Sequence, residues 1–198
     1  MRLMNREACE EIRNSYPCDD FLNLTVGYRW LDYKEDGIRT SVPLKNEELE
    51  EAGVEKEELF MLAQRNTENL FDARLYRLGD LVKRFCEGEE AKDFMPGSDV
   101  LDKKELYVCT NDSGFFGAAV MLIDNVIDNV AKRLGGSIYI LPSSVHEVII
   151  VPRIEDYDLN MLKETVHAVN TTVVNETDYL SDNVYLYSTA TKKLEIAA

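Results

Sequence analysis

Alternating apolar and polar positions mark the first β-strand signal of the chain. Within residues 22–30, every second position is apolar: Leu22, Leu24, Val26, Tyr28 and Trp30. A period of two predicts a half-buried strand. The Asp36-Gly37 pair then predicts a tight turn, and residues 38–44 predict the returning arm of a β-hairpin.

Helical periodicity recurs along the chain, with recognisable ends. Asn5 is placed to cap a short first helix, and Asp124 and Asp158 are placed to cap two later ones. Gly135 follows the apolar stripe that begins after Asp124, as expected at a helix C-terminus. The predicted helices cover residues 6–14, 46–53, 55–66, 78–85, 124–134 and 159–169.

Strand patterns dominate the chain after residue 104. Strands are predicted over 105–110, 117–123, 137–141 and 147–151, with a terminal hairpin of 184–187 and 194–196. Hairpins mixed with helices indicate an α+β fold, a largely antiparallel sheet with about five helices packed against it. We predict a single domain over 1–198, with the charged segment 87–104 as its candidate point of subdivision.

The charge balance narrows the class of partner. The 198 residues carry 22 Lys and Arg against 37 Asp and Glu, a net charge of −15. Such a surface repels DNA, RNA and anionic membranes, because proteins bind those ligands by neutralising their phosphates. We therefore expect a basic protein surface as partner, with no direct nucleic acid and no membrane.

Cysteine spacing and the N-terminal segment predict a cytoplasmic protein without a cofactor. Residues 1–5 show no apolar leader, and the longest apolar run, 115–123, is about half of a membrane span. No nucleotide-binding fingerprint is present. The cysteines lack zinc-ligand spacing, and free thiols are typical of the cytosol: Cys9, Cys18, Cys86 and Cys109.

Glutamates concentrate between Lys45 and Phe60, where two helices are predicted. The segment contains seven glutamates and two lysines. A solvated helical face is the ordinary interpretation of such a run. The alternative is that carboxylates held on rigid helices imitate a phosphate track and occupy a nucleic-acid-binding groove of another protein. The predicted partner-binding surface consists of Glu47, Glu48, Glu50, Glu51, Glu55, Glu57 and Glu58.

Ser144 and His146 suggest a nucleophile beside a base. In an extended segment both side chains would point to one face, and Glu147 would point to the other. The sequence shows neither an acid that orients His146 nor an oxyanion donor. The structural alternative is that a ring nitrogen of His146 satisfies a backbone group, while the serines cap a turn after Pro142.

The second histidine and the carboxylates single out no site. His167 lies beside the apolar stripe of the last predicted helix and is expected to be partly exposed. No metal site is predicted, because Asp124 already has a role as a cap and no carboxylate pair follows the pattern of a nuclease. The groups considered for a divalent ion are Asp19-Asp20, Asp124/Asp128 and Glu155-Asp156-Asp158.

Several segments together resemble an uncharacterised family, a domain of unknown function common in gut-dwelling Gram-positive bacteria and their mobile elements. The most specific is the LPSSVHEV block, inside GSIYILPSSVHEVIIVP at 136–152. The resemblance implies a version of the family that is shortened at the N-terminus. It also implies a shared fold and a bacterial or mobile-element origin, but no mechanism. The supporting segments are DFLNLTVGYRW at 20–30, NTENLF at 66–71, GAAVML at 117–122 and DNVYLYSTATKKLEI at 182–196.

Three functions are compatible with these observations. The first is a non-catalytic interaction protein, in its sharpest form an anti-CRISPR-like inhibitor, from a mobile element or phage, that blocks a basic nucleic-acid-binding surface of a bacterial defence protein. The second is a small serine-dependent hydrolase that uses Ser144 and His146. The third is a structural subunit of a larger assembly. The charge balance favours the first.

Overall fold

The computed structural model describes residues 1–33, 39–95, 97–142, 144–154 and 158–198. Its backbone contacts form two compact units, residues 1–70 and residues 71–198. This division falls at residue 70, and the segment 87–104 lies inside the second unit. The single continuous domain stays a prediction.

Three short strands at the start of the first unit form an antiparallel sheet. They are β1 (Arg2–Asn5), β2 (Cys18–Phe21) and β3 (Leu24–Gly27), in the spatial order β1-β3-β2. Leu22 adopts a left-handed conformation with φ of 55°, and the turn at this residue joins β2 to β3. One strand over residues 22–30 is therefore a wrong prediction, because periodicity along a segment does not show where the chain turns.

A hairpin and two helices complete the first unit. β4 (Arg29–Tyr33) pairs antiparallel with β5 (Arg39–Pro43), which confirms the predicted hairpin. The predicted Asp36-Gly37 turn lies outside the described residues. α1 (Asn46–Glu51) and α2 (Lys56–Leu70) follow, close to the predicted bounds.

The predicted helix over residues 6–14 is a shorter 3₁₀ helix, Glu7–Ile12. Asn5 belongs to β1, and Arg6 precedes the helix without a capping side-chain bond, so the predicted Asn5 cap is wrong. Asn5 belongs to the strand because the Asn5 backbone pairs with Leu24 of β3.

A six-stranded antiparallel sheet forms the second unit, in the order β11-β10-β8-β9-β7-β6. β7 to β11 fall where strands are predicted. β6 is not predicted, because it is a five-residue segment with two arginines and one buried residue, Leu75. The strands are β6 (Ala73–Arg77), β7 (Tyr107–Asn111), β8 (Ile138–Leu141), β9 (Val148–Pro152), β10 (Tyr185–Ser188) and β11 (Lys193–Ile196).

Three helices accompany this sheet: α3 (Leu78–Glu87), α4 (Asp124–Arg133) and α5 (Leu159–Thr172). The Asp158 cap is confirmed, since its Oδ1 accepts the Asn160 backbone N–H at 2.9 Å. The Asp124 cap is wrong. That residue lies in the first turn of α4, and no side chain caps this helix.

The buried stripe of α5 shows how a helix completes the core of the second unit. Leu162 and Val166 of this helix form one cluster with Tyr139, Val151 and Val184 of the sheet region. This stripe has the i, i+4 spacing that predicts it from the sequence.

The predicted strand over residues 117–123 is wrong, because Gly117–Leu122 forms a 3₁₀ helix. All six residues are buried, so the segment has no solvent face that alternation would require. A Cβ atom on Gly117 would overlap the Thr110 hydroxyl and the His146 carbonyl oxygen. Glycine therefore permits a backbone approach that no other residue allows here.

The segment 87–104 has no regular strand or helix after Glu87 among its described residues, but it is tied to the sheet. Asp93 accepts the backbone N–H groups of Leu75 at 3.0 Å and Met95 at 2.9 Å, and it pairs with Arg74 at 3.0 Å. Leu101 is 3 % exposed. These contacts hold the segment in the second unit.

The described residues thus combine five α-helices and two 3₁₀ helices with antiparallel sheets, which confirms the α+β prediction. Within the described part of the chain, every helix is too short or too polar to cross a bilayer.

Candidate protein-interaction surface

The seven glutamates of the predicted partner-binding surface lie on α1, on the first turn of α2 and in the connection between them. We call this set the acidic surface. Six of the seven are exposed. Glu48 is half-buried, because its carboxylate accepts the Lys45 backbone N–H at 2.8 Å and so closes the first turn of α1.

Helix geometry arranges the acidic side chains of α1. Glu47, Glu50 and Glu51 are spaced i, i+3 and i+4, so they share one face of the helix. Leu49 lies on the opposite face and is 8 % exposed. The burial of Leu49 therefore determines that the three carboxylates point into solvent.

The glutamates of the acidic surface form no ion pair with a described cation. Among the ion pairs of the described residues, none includes any of the seven glutamates. Elsewhere in the first unit, Asp20 pairs with Arg13 at 2.7 Å and with Arg6 at 3.5 Å. The hydrogen bond from Arg13 holds the pKa of Asp20 below its usual value. Apart from the Glu48 carboxylate, which accepts the Lys45 backbone N–H, the acidic surface is thus a concentration of exposed carboxylates.

An apolar groove of about 360 Å³ lies between the same two helices and the β4–β5 hairpin. Trp30 and Leu62 are 45 % and 44 % exposed, so apolar side chains are accessible at this groove. The sequence pattern does not indicate this groove, because alternation places Trp30 on the buried side of the strand predicted over residues 22–30. The interleaving of leucines with glutamates was the available signal. The main apolar lining residues are Trp30, Leu44, Leu49, Leu59, Leu62 and Ala63.

Ser144 lies in the connection between β8 and β9, directly before a bend at Val145 and His146, and not in a strand. Its hydroxyl donates to Glu147 Oε1 at 3.0 Å and accepts the His146 backbone N–H at 3.0 Å. The prediction that Glu147 points away from Ser144 is therefore wrong, because the bend brings the two side chains together. The predicted role as a turn cap is confirmed for Ser144, and Ser143 lies outside the described residues.

The ring of His146 is engaged on both nitrogens. Nδ1 accepts the Phe116 backbone N–H at 3.3 Å, and Nε2 lies 3.5 Å from Asp178 Oδ1. The ring also stacks on Phe116 with an interplanar angle of 15°. The prediction that a ring nitrogen satisfies a backbone group is confirmed.

The positions of Ser144 and His146 decide whether the serine hydroxyl can act as a nucleophile. No hydrogen bond among the described residues joins the Ser144 hydroxyl to the His146 ring, and Ser144 is 6 % exposed. A serine is activated when its proton passes to a basic nitrogen within hydrogen-bond reach. The hydrolase alternative stays a prediction, and a serine-directed probe tests it by labelling the wild type but not Ser144→Ala.

The remaining sequence candidates lie apart and have partners in the protein. His167 is 62 % exposed, as predicted, and its Nδ1 lies 2.7 Å from Asp182 Oδ2. Asp19 accepts the Tyr28 hydroxyl. Asp128 pairs with Lys132 at 2.6 Å.

Metal ligation receives no support from the parts of the chain that the structure covers. Glu155 and Asp156 lie outside the described residues, and Asp158 is the cap of α5. Among the described histidines, cysteines and carboxylates, no three lie together in a group that could hold a metal ion. All four cysteines are free thiols. Burial raises the pKa of the Cys109 thiol to about 12, which makes it unreactive.

Comparison with known proteins gives one result. No curated protein and no solved structure matches this chain. The sequence model of one family, described as "Family of unknown function (DUF5688)", matches residues 1–189. The predicted resemblance to an uncharacterised family is confirmed to this extent, and the chain belongs to this family of unknown function.

Proposed function

We propose that this protein acts by binding a basic surface of another protein and catalyses no reaction of its own. The observation that carries the proposal is the acidic surface, seven glutamates of which six are exposed and none is in an ion pair with another described residue. A concentration of unpaired carboxylates attracts a cationic surface and accelerates its diffusional encounter.

The chemistry of the partner follows from that of the surface. Carboxylates held on two helices present regularly spaced negative charges, as phosphates do along a nucleic acid strand. A protein that binds DNA or RNA has a complementary basic groove. In its sharpest form, the proposal is that the protein inhibits a nucleic-acid-binding defence protein by occupying that groove, as a mobile-element or phage inhibitor would.

The apolar groove adds a second requirement to the partner. Leu49 of α1 and Leu59 and Leu62 of α2 line it, so its walls are the helices that carry the glutamates. Charge alone gives fast but weak association, whereas a bulky apolar side chain buried at the centre of an interface slows dissociation. We therefore propose a basic segment that also contributes an aromatic or aliphatic side chain.

The test begins with capture of partners from a bacterial lysate at low salt, identified by mass spectrometry and then measured individually. Affinity for the partner should fall about tenfold or more between about 50 and about 300 mM NaCl, because exposed charges are screened. Reversing Glu47, Glu50, Glu51 and Glu58 to lysine should abolish binding.

A matched control separates the acidic surface from net charge. Glu89, Glu90, Glu164 and Glu176 are exposed and also lie outside the ion pairs of the described residues. Reversing these four changes the net charge by the same amount and should reduce binding only slightly. Equal losses for both variants, or binding that survives the first variant, would refute a local surface.

A competition experiment with nucleic acid tests whether the protein occupies the nucleic-acid-binding groove of its partner. Labelled DNA or RNA bound to the captured partner should be displaced by the wild-type protein and not by the Glu47, Glu50, Glu51 and Glu58 variant. A ternary complex of protein, partner and nucleic acid would show that the acidic surface binds elsewhere on the partner.

A further inference from the structure

A small cavity lies over one face of the three-stranded sheet in the first unit. Arg2 and Cys18 both pair with Gly27, so the three residues form one row across β1, β3 and β2. Side chains of directly paired residues point to the same face of an antiparallel sheet. Because Gly27 has no side chain, the row leaves a gap at its centre. All three residues line a cavity of about 220 Å³, which the missing side chain helps to open.

The chain segment between β1 and β2 covers this face of the sheet. The Arg13 guanidinium donates to the Thr25 hydroxyl at 2.8 Å, and Thr25 lies two residues before Gly27 on β3. Residues two apart on a strand share a face, so Arg13 and the adjacent Ile12 lie on the cavity side. Ile12 is 37 % exposed, which places it at the rim. The lining is largely apolar and includes Met4, Ile12, Tyr16, Pro17 and Pro43.

The charged part of the lining is cationic. Arg2 and Arg29 line the cavity, and the described lining residues include no Asp or Glu. Ser41 holds the Arg29 guanidinium, whose Nε donates to the Ser41 hydroxyl at 2.6 Å and whose Nη2 donates to the Ser41 carbonyl at 2.8 Å. Burial lowers the pKa of Arg29, and the positive charge of Arg2 lowers it further. Two like charges therefore share one cavity, in a chain whose net charge is −15.

We infer that this cavity binds a small aromatic carboxylate, with its carboxylate group at Arg2 and Arg29 and its ring against Met4 and Ile12. A carboxylate offsets the repulsion between two guanidinium groups, and a guanidinium group donates two parallel hydrogen bonds to it. The thioether of a methionine also makes a favourable contact with an aromatic ring. The lining includes none of the seven glutamates of the acidic surface, so the site is separate from the surface that the proposed function uses.

The size of the cavity restricts the ligand to a single ring. An engineered cavity of about 150 Å³ in another protein holds benzene. A volume of about 220 Å³ is therefore enough for one ring and a short acid side chain. Drug-sized ligands occupy cavities of about 300 Å³ or more. Phenylacetate has the required ring, charge and size, and it is the probe for the test.

Titration followed by ¹H–¹⁵N correlation NMR measures binding and locates it. Phenylacetate should shift the amide resonances of Gly27 and Cys18, with a dissociation constant of about 0.1–5 mM for a ligand of this size. Phenylacetamide lacks the charge and inorganic phosphate lacks the ring, so each should bind at least about tenfold more weakly. Equal binding of either compound, or unshifted Gly27 and Cys18 resonances up to about 20 mM phenylacetate, would overturn the inference.

Substitution of the arginines tests the contact with the carboxylate. Arg2→Met and Arg29→Met should each weaken phenylacetate binding at least about tenfold, because each removes charged hydrogen-bond donors. Arg2→Lys and Arg29→Lys keep the charge and should lose less. Arg65 is exposed on α2 and does not line the cavity, so Arg65→Met is the matched control and should bind as the wild type does. Unchanged affinity in Arg2→Met, with the fold intact by circular dichroism, would exclude the proposed contact.

Filling the cavity from its rim tests the location without removing a charge. Because Ile12 is partly exposed, Ile12→Trp should leave the fold intact and place its larger ring in the cavity. We expect this variant to weaken phenylacetate binding at least about fivefold, since the ring competes with the ligand for the same volume. Met61→Trp is the control, because Met61 is 65 % exposed and does not line the cavity. Equal affinities of the two tryptophan variants would place the ligand outside this cavity.

Discussion

At the residue scale, the loop that contains His146 joins three segments of the second unit through short polar contacts. The Thr110 hydroxyl donates to the His146 carbonyl at 2.7 Å, and the Ala118 N–H donates to the Val145 carbonyl at 3.2 Å. The Val145 N–H donates to the Asp178 carbonyl at 2.9 Å. The LPSSVHEV block therefore has a structural explanation that needs no catalysis.

Gly117→Ala tests how tightly this loop is packed. The added Cβ would come closer than about 3.0 Å to the Thr110 hydroxyl, the His146 carbonyl oxygen and the Asn111 backbone nitrogen. We expect the free energy of unfolding to fall by about 1–3 kcal/mol, the usual cost of overpacking. Chemical denaturation followed by circular dichroism measures it.

Gly136→Ala is the control for that substitution, because no atom lies within 4 Å of its Cβ position and its φ is not positive. We expect little change in stability there. If the two glycine variants are equally stable, the backbone approach at Gly117 is not as close as the geometry requires.

At the element scale, Asp128 joins α4 to the terminal hairpin of β10 and β11. Its Oδ1 accepts the Tyr187 hydroxyl at 3.1 Å, and its Oδ2 lies 2.6 Å from Lys132 and 3.9 Å from Lys192. The Lys132 ammonium holds the pKa of Asp128 below its usual value, with the Tyr187 hydroxyl adding to the effect. Burial and the bond to Asp128 raise the pKa of Tyr187 to about 12.

Asp128→Asn should weaken the dependence of the free energy of unfolding on pH in the acid range. Because the folded-state pKa lies below the unfolded value of about 3.9, the contribution of Asp128 is complete above that value and is lost as the pH falls through the folded-state pKa. We expect the substitution to lower the free energy of unfolding by about 1 kcal/mol at pH 7 and to leave it almost unchanged in strong acid. Urea unfolding at several pH values measures this.

Asp124→Asn is the matched control on the same helix, one turn earlier. Asp124 is exposed and lies outside the ion pairs of the described residues. Its replacement should lower the free energy of unfolding at pH 7 by less than Asp128→Asn does, because it breaks no ion pair of the described residues. Curves for the two variants that coincide at every pH would contradict a specific role for Asp128.

At the scale of the whole molecule, the net charge of −15 is the dominant property. Like charges repel one another in the folded state and keep the protein soluble at the expense of stability. The same repulsion weakens association with anionic ligands, which favours the cationic partner proposed above. Screening by salt should therefore act oppositely on folding and on partner binding.

Thermal unfolding at pH 7 should show this effect directly. We expect the melting temperature to rise by about 2–4 °C between about 20 and about 500 mM NaCl, since screening relieves repulsion among the carboxylates. The variant with Glu47, Glu50, Glu51 and Glu58 reversed to lysine should show a smaller rise. A melting temperature that falls with added NaCl would mean that attractive ion pairs dominate the folded state.

Much of the fold can be predicted from local patterns. The stripe of α5 and its Asp158 cap, the β4–β5 hairpin and the terminal hairpin follow from periodicity and end signals. The errors occur where burial overrides alternation. Gly117–Leu122 is apolar throughout because all six residues are buried. β6 lacks a strand-like apolar pattern of its own and is a strand because its backbone pairs with β7.

The candidate sites divide in the same way. Composition and helical spacing alone determine that six of the seven glutamates lie on two helices, with Glu55 between them. Tertiary structure alone decides that Trp30 and Phe85 are exposed and that Ser144 donates to Glu147 instead of His146. The reason is physical: charge and periodicity are properties of each segment, whereas exposure and hydrogen-bond partners depend on which distant segments fold against it.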